Sequence, residues 1–194
     1  MKKFEFNILY FLGAIFILSV SMGCASPQKK TALAKPLNSV PIDIDSFMGV
    51  WHEVARLPVV MERHCVASSF SYKKIAPDRI KIYNFCWYKS LFGPMRRADT
   101  IAFIRDQKDP GSMTMQISGP IAVPYSIFYI SKDEQFALFG SPDRDKLWIL
   151  SRVHVPPEDE MKKLLNAASD NGFDVSKLIY TIELNNGAGN ENEK

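Results

Sequence analysis

Apolar and polar side chains alternate along much of this chain. Ile80 and Ile82 flank Lys81, and Met113, Met115 and Ile117 alternate with Thr114, Gln116 and Ser118. A period of two turns one face of a strand toward a core and the other toward water. Short β-prone segments follow one another between turn residues at roughly 50–58, 66–74, 79–88, 98–106, 112–118, 125–131, 135–140 and 146–152. Such a train of short strands predicts an antiparallel barrel or sandwich. After the eighth segment the period changes. Pro157-Glu158-Asp159-Glu160-Met161 opens a helix with acidic residues in its first turn, and Leu164, Leu165 and Ala168 share a face until Gly172 ends it. A short last strand is predicted over Leu178 to Glu183.

The N-terminus follows a different rule. Lys2 and Lys3 precede an apolar run from Ile8 to Leu18, then Ser19, Ser21, Gly23 and Cys24. This is the layout of an export signal. A run of about eleven to fifteen apolar residues falls short of the roughly twenty that cross a bilayer as a helix. Gly23-Cys24 resembles the bacterial lipobox, in which the cysteine receives a diacylglyceryl group and becomes the acylated N-terminus. Ser21 stands where that motif usually has leucine, so an ordinary secreted protein cut nearby and a membrane-spanning anchor remain open. Ala25, where retained lipoproteins carry aspartate, implies by the same resemblance the outer membrane, with the domain on its periplasmic side. The expected organisation is a signal peptide at 1–23, a lipidated Cys24 with a flexible tether through 41, a domain at 42–184 and a disordered tail at 185–194.

Composition adds limits. A hydrophobic fraction of 46% and a charged fraction of 23% are those of a globular chain. The net charge of +3 becomes +2 once Lys2, Lys3 and Glu5 leave with the signal. The basic residues are scattered, so nucleic-acid binding is not expected. With Cys24 assigned to the lipid, Cys65 and Cys86 remain as an even pair for an oxidising compartment. A hairpin turning at Ala76-Pro77-Asp78 pairs residues whose numbers sum to about 151 or 152, which sets Cys65 opposite Cys86 at bridging distance. Two buried free thiols are the alternative.

Three blocks carry a family resemblance: Gly49-Val50-Trp51-His52-Glu53-Val54-Ala55-Arg56-Leu57-Pro58, Pro142 to Arg152, and Gly172-Phe173-Asp174-Val175-Ser176-Lys177. At this spacing they resemble the bacterial lipocalins, close to the outer-membrane lipoprotein type and the apolipoprotein D group, over residues 42 to 183. The resemblance implies an all-β fold: an eight-stranded antiparallel up-and-down barrel with one C-terminal helix packed outside and a short ninth strand. It makes Gly49, Trp51 and Arg152 a structural motif at the closed base. The loops at 59–61, 91–95 and 119–124 then lie at the mouth, where they either present an exposed apolar patch or fold inward to finish a small core. Interior candidates for ligand contact are Ala55, Ile82, Asn84, Ile101, Phe103, Met113, Met115, Tyr125 and Ile127. The implied ligand is a hydrophobic small molecule such as a fatty acid or lysophospholipid, with no cofactor and no metal. Arg96 and Arg97 near the mouth read either as head-group partners or as solvated surface residues. His52, His64 and His154 lack metal-ligand spacing and a motif-placed nucleophile, so an enzyme is not expected. The rival readings are an envelope protein whose apolar mouth binds another protein, and a lipid-modifying enzyme. The oligomeric state is open, a homodimer included.

Overall fold

A computed structural model describes residues 36–181 other than Pro120. The export signal, Cys24, most of the tether, the end of the last strand and the C-terminal tail lie outside the described residues. Eight strands close into a barrel: β1 (Gly49–Arg56), β2 (Cys65–Ala76), β3 (Arg79–Tyr88), β4 (Met95–Ile104), β5 (Ser112–Ser118), β6 (Ile121–Ile130), β7 (Phe136–Gly140) and β8 (Leu147–Ser151). Each is antiparallel to the next, and β1 pairs with both β2 and β8 to complete the ring. Helix α1 (Glu158–Asp170) follows, and β9 (Ile179–Tyr180) adds outside, pairing with Ala55 and Arg56 of β1 beyond the His52–Ser69 pair where β2 leaves that edge.

Two apolar clusters hold the molecule, and both lie within the described residues. One fills the barrel and includes Phe47, Trp51, Tyr72, Ile80, Ala102, Ile104, Met113, Ile127, Phe139 and Leu150. The other lies between the outer wall and α1, and joins Leu138, Leu147 and Ile149 to Leu164, Ala168 and Phe173. Strands β7 and β8 are covered on both sides, so every one of their residues is buried. That explains why FALFG and LWILS read as continuous apolar runs rather than alternating ones.

The base is closed from below by residues 42–48. Phe47 stacks on Trp51 with ring centroids 4.8 Å apart, and the indole Nε1 donates to the Phe47 carbonyl at 2.9 Å. Arg152 lies over the same indole at 3.9 Å and donates to the carbonyls of Val50, Ser46 and Met48. Gly49 sits beside it at φ +97°, a conformation that side chains disfavour, with the guanidinium 3.4 Å from where a Cβ would be. Arg152→Lys keeps the charge but loses the planar stack and most of the carbonyl bonds. It should lower unfolding free energy by about 1–2 kcal/mol in urea titrations.

Several sequence expectations change here. Ala55 lies outside the barrel, against β8 and α1, because a bulge between Glu53 and Ala55 reverses the parity of β1. Ile101 and Phe103 also face outward, beside Lys81 and Arg79, while Thr100, Ala102 and Ile104 point in. Their apolar character had suggested the opposite face. Strands β4 and β6 begin at Met95 and Ile121 and so take in part of the expected mouth loops. Pro124 is tolerated within β6 because β7 pairs with that strand only from Ser126 onward. Packing begins before residue 42, within the stretch expected to be tether. Leu37 is buried in the outer cluster, the Val40 amide donates to the Ile127 carbonyl, and Ser126 Oγ donates to the Leu37 carbonyl.

Candidate functional site

The barrel is filled at its base and open at its mouth. Above Met113 and Ile127 a cavity of about 470 Å³ reaches the rim. Its apolar wall comes from Phe70 of β2, Ile82 of β3, Met115 of β5, Val123 and Tyr125 of β6, and Trp148 of β8. The period-two alternation of these strands delivers those side chains to the lumen. Of the nine interior candidates, Ile82, Asn84, Met115 and Tyr125 line the cavity. Met113 and Ile127 face inward but belong to the packed floor beneath it. Ala55, Ile101 and Phe103 face outward, as described above.

Near the mouth the wall carries a disulfide between Cys65 and Cys86, with Cα atoms 5.3 Å apart. The expected register was offset. Facing residues in this hairpin are Ser68 and Cys86, Ser69 and Phe85, and Phe70 and Asn84, while a bulge between Cys65 and Ala67 brings Cys65 within reach of Cys86. Replacing both cysteines with alanine should cost about 3 kcal/mol, the loop-closure value for some twenty residues, read as a lower urea midpoint.

One side of the cavity holds a buried ionic cluster. A turn of 3-10 helix at Val60–Glu62 folds over the lumen and points Glu62 inward. Its carboxylate accepts from Asn84 Nδ2 at 2.6 Å and from Trp148 Nε1 at 3.3 Å, and lies 3.3 Å from Arg56 Nε. Arg56, only 1% exposed, also donates to Glu53 at 2.5 Å and to the carbonyls of Glu62 and Cys65. The cluster thus ties β1, β3, β8 and the turn above the mouth together. Loss of water on burial, reinforced by repulsion from Glu62 and only partly offset by Arg56, pushes the Glu53 carboxyl up to about 8. Glu53 is therefore mostly protonated at neutral pH, and its Oε2 has no hydrogen-bond partner among the described residues.

Sequence reasoning missed this cluster. Glu53, Arg56 and Glu62 look like ordinary surface charges in a linear reading; Glu53 shares the inward face of Trp51, and the bulge in β1 turns Arg56 away from water as well. The sequence did mark Arg96 and Arg97, and both lie at the rim with Tyr88 and Lys146. Arg96 stacks on Tyr88 at 3.5 Å, and Arg97 pairs with Asp99 at 3.0 Å. His52 and His154, distant in sequence, meet on the outer wall with rings 3.9 Å apart. Burial and the neighbouring imidazole hold His52 below its ordinary range.

A family model described as a lipocalin-like domain matches residues 42–183. The outer membrane lipoprotein Blc of Escherichia coli strain K12 is 26% identical over 159 residues, covering 82% of this chain and 88% of that one. Temperature-induced lipocalin-1 of Arabidopsis thaliana is 29% identical over 163 residues, covering 79% and 83%. Among solved structures, lobster apocrustacyanin A1 superposes with a TM-score of 0.59 at 15% identity, covering 73% of this chain and 79% of that one, a likeness of fold.

Proposed function

The chain belongs to the lipocalin-like family, and from that premise we propose that it binds one long apolar molecule in the mouth-half cavity and carries or stores it in the cell envelope. The observation that carries the reading is the apolar-walled space of about 470 Å³, open to the rim. That volume lies within the roughly 300–1,000 Å³ of small-molecule pockets. A fatty acid or lysophospholipid fits the chemistry of the wall. Burying about fifteen methylenes at roughly 0.8 kcal/mol each gives at most about 12 kcal/mol before ordering and association costs. Micromolar or tighter affinity follows. Arg96, Arg97 and Lys146 at the rim suit an anionic head group, with the chain running down toward Tyr125 and Trp148.

Attachment is part of the same proposal. Cys24 is acylated, with palmitate among the chains, and holds the domain on the periplasmic side of the outer membrane. Gly23-Cys24-Ala25 and the relative named outer membrane lipoprotein Blc support this placement. Ligand carriage is tested by titrating the purified protein with a fluorescent palmitate analogue and competing with lysophospholipid. One saturable site in the micromolar range or below is expected. A folded protein that takes up neither compound overturns the reading and favours the second one, a mouth that binds a protein partner through its exposed apolar rim.

A further inference from the structure

The most exposed large apolar side chains of this barrel are gathered at its open end. Phe92, Val60 and Met61 are 101%, 80% and 73% exposed, and Met95 and Ile121 stand beside them. They come from three different connections around the cavity mouth. Other exposed apolar residues, such as Ile75 next to the base hairpin and Val153 after β8, are set apart from this rim. Phe92 does not fold back over the apolar opening. Its turn is built to display it: Lys89 takes a left-handed conformation at φ 67°, its amide donates to the His64 carbonyl, and the Gly93 amide donates to Ser90.

The same end is basic. Arg63, Lys89, Arg96, Arg97, Arg144 and Lys146 outnumber Glu62, Asp99, Asp143 and Asp145, and of those four Glu62 is buried and turned into the lumen. Apolar tips within a collar of cations are the composition of an interfacial anchor, in which the tips enter the acyl boundary and the cations meet lipid phosphates. We propose that the mouth of the barrel docks face-on against an anionic phospholipid surface. A second copy of the chain fits this rim poorly, because two cationic collars would then face each other. An anionic bilayer has the complementary charge and also accepts the apolar tips.

The proposal rests on the carrier reading in one respect: docking by the rim lets the cavity exchange its amphiphile with the membrane without passing through bulk water. Chain length permits it. Eleven residues separate Cys24 from Pro36, and the stretch spans up to about 40 Å when extended. A ten-residue strand such as β6 is about 33 Å long. A chain anchored at Cys24 therefore has enough length for the rim to face the anchoring membrane.

The test uses a chain beginning at Ala25, which keeps the whole described barrel but lacks the N-terminal apolar run and Cys24. A cooperative urea transition verifies its fold. Flotation with phosphatidylglycerol vesicles at low salt is expected, with little flotation on phosphatidylcholine. The Val60→Asp/Phe92→Asp double variant and the Arg63→Glu/Lys89→Glu double variant should each weaken the partition at least tenfold, and Ile75→Asp should leave it unchanged. None of the substituted residues lines the cavity, so binding of the palmitate analogue in solution should persist in all three. Absence of flotation, or flotation indifferent to the rim substitutions, overturns the proposal. So does self-association abolished by Val60→Asp/Phe92→Asp without vesicle binding, which would assign the rim to a second copy. Palmitate binding without flotation refutes docking alone. Flotation without any saturable ligand refutes the carrier reading and leaves docking in place.

Discussion

Arg56→Met is expected to lower the unfolding free energy at neutral pH by about 3–5 kcal/mol, the usual cost of stripping one partner from a buried ionic cluster. Methionine matches much of the volume of arginine, so the loss is electrostatic and not a packing defect. It leaves Glu53 and Glu62 inside the barrel without their shared cation and removes the donors to the carbonyls of Glu62 and Cys65.

The wild type has a pH signature of its own. With Glu53 raised to about 8 in the folded protein and near its ordinary value of 4.5 when unfolded, the native state holds an extra proton between those values. The stability this contributes is fully present below about pH 4.5 and is lost as pH rises through about 8. Glu53→Gln should flatten that slope and be the more stable protein at pH 9. Urea unfolding at pH 5, 7 and 9 checks all three proteins. Equal stability of wild type and Arg56→Met at neutral pH would refute the role given to the cluster.

Thr100→Trp is expected to abolish most ligand binding while leaving the barrel folded. Thr100 faces the lumen from β4, opposite Ile82, at the level where the wall is apolar and the space is open. An indole there excludes roughly four methylenes of a bound chain, worth about 3 kcal/mol at about 0.8 each, or a loss of roughly two orders of magnitude in affinity. Titration with the palmitate analogue measures it, and a coincident urea midpoint excludes global damage. Unchanged affinity would place the ligand elsewhere.

How much of this was legible in the sequence depends on how regular each strand is. Ile80 and Ile82 sit on β3, whose pairing with β4 runs without a register shift, and their inward orientation follows from alternation alone. The helix from Glu158, its apolar face and its stop at Gly172 were readable because period and capping residues agree. The base was readable through Trp51 and Arg152. Alternation fails where a bulge shifts the count, as it does between Glu53 and Ala55, and this one irregularity both misplaced Ala55 and hid Arg56. It fails again where apolar residues occupy the outer wall, as Ile101 and Phe103 do. Glu62 was invisible for another reason. Its partners Asn84 and Trp148 lie 22 and 86 residues away, and only closure of the barrel brings them together. The cavity's depth was equally unreadable, since Met113 and Ile127 differ from Met115 and Tyr125 only in lying lower on the same inner wall.

Native mass spectrometry of the protein purified from its native cells without added lipid tests the central claim most directly. A mass increment of one amphiphile per chain is expected, lost on delipidation, restored by palmitate or lysophospholipid, and not restored in Thr100→Trp. A folded protein that carries no such increment and acquires none from either compound would contradict the account.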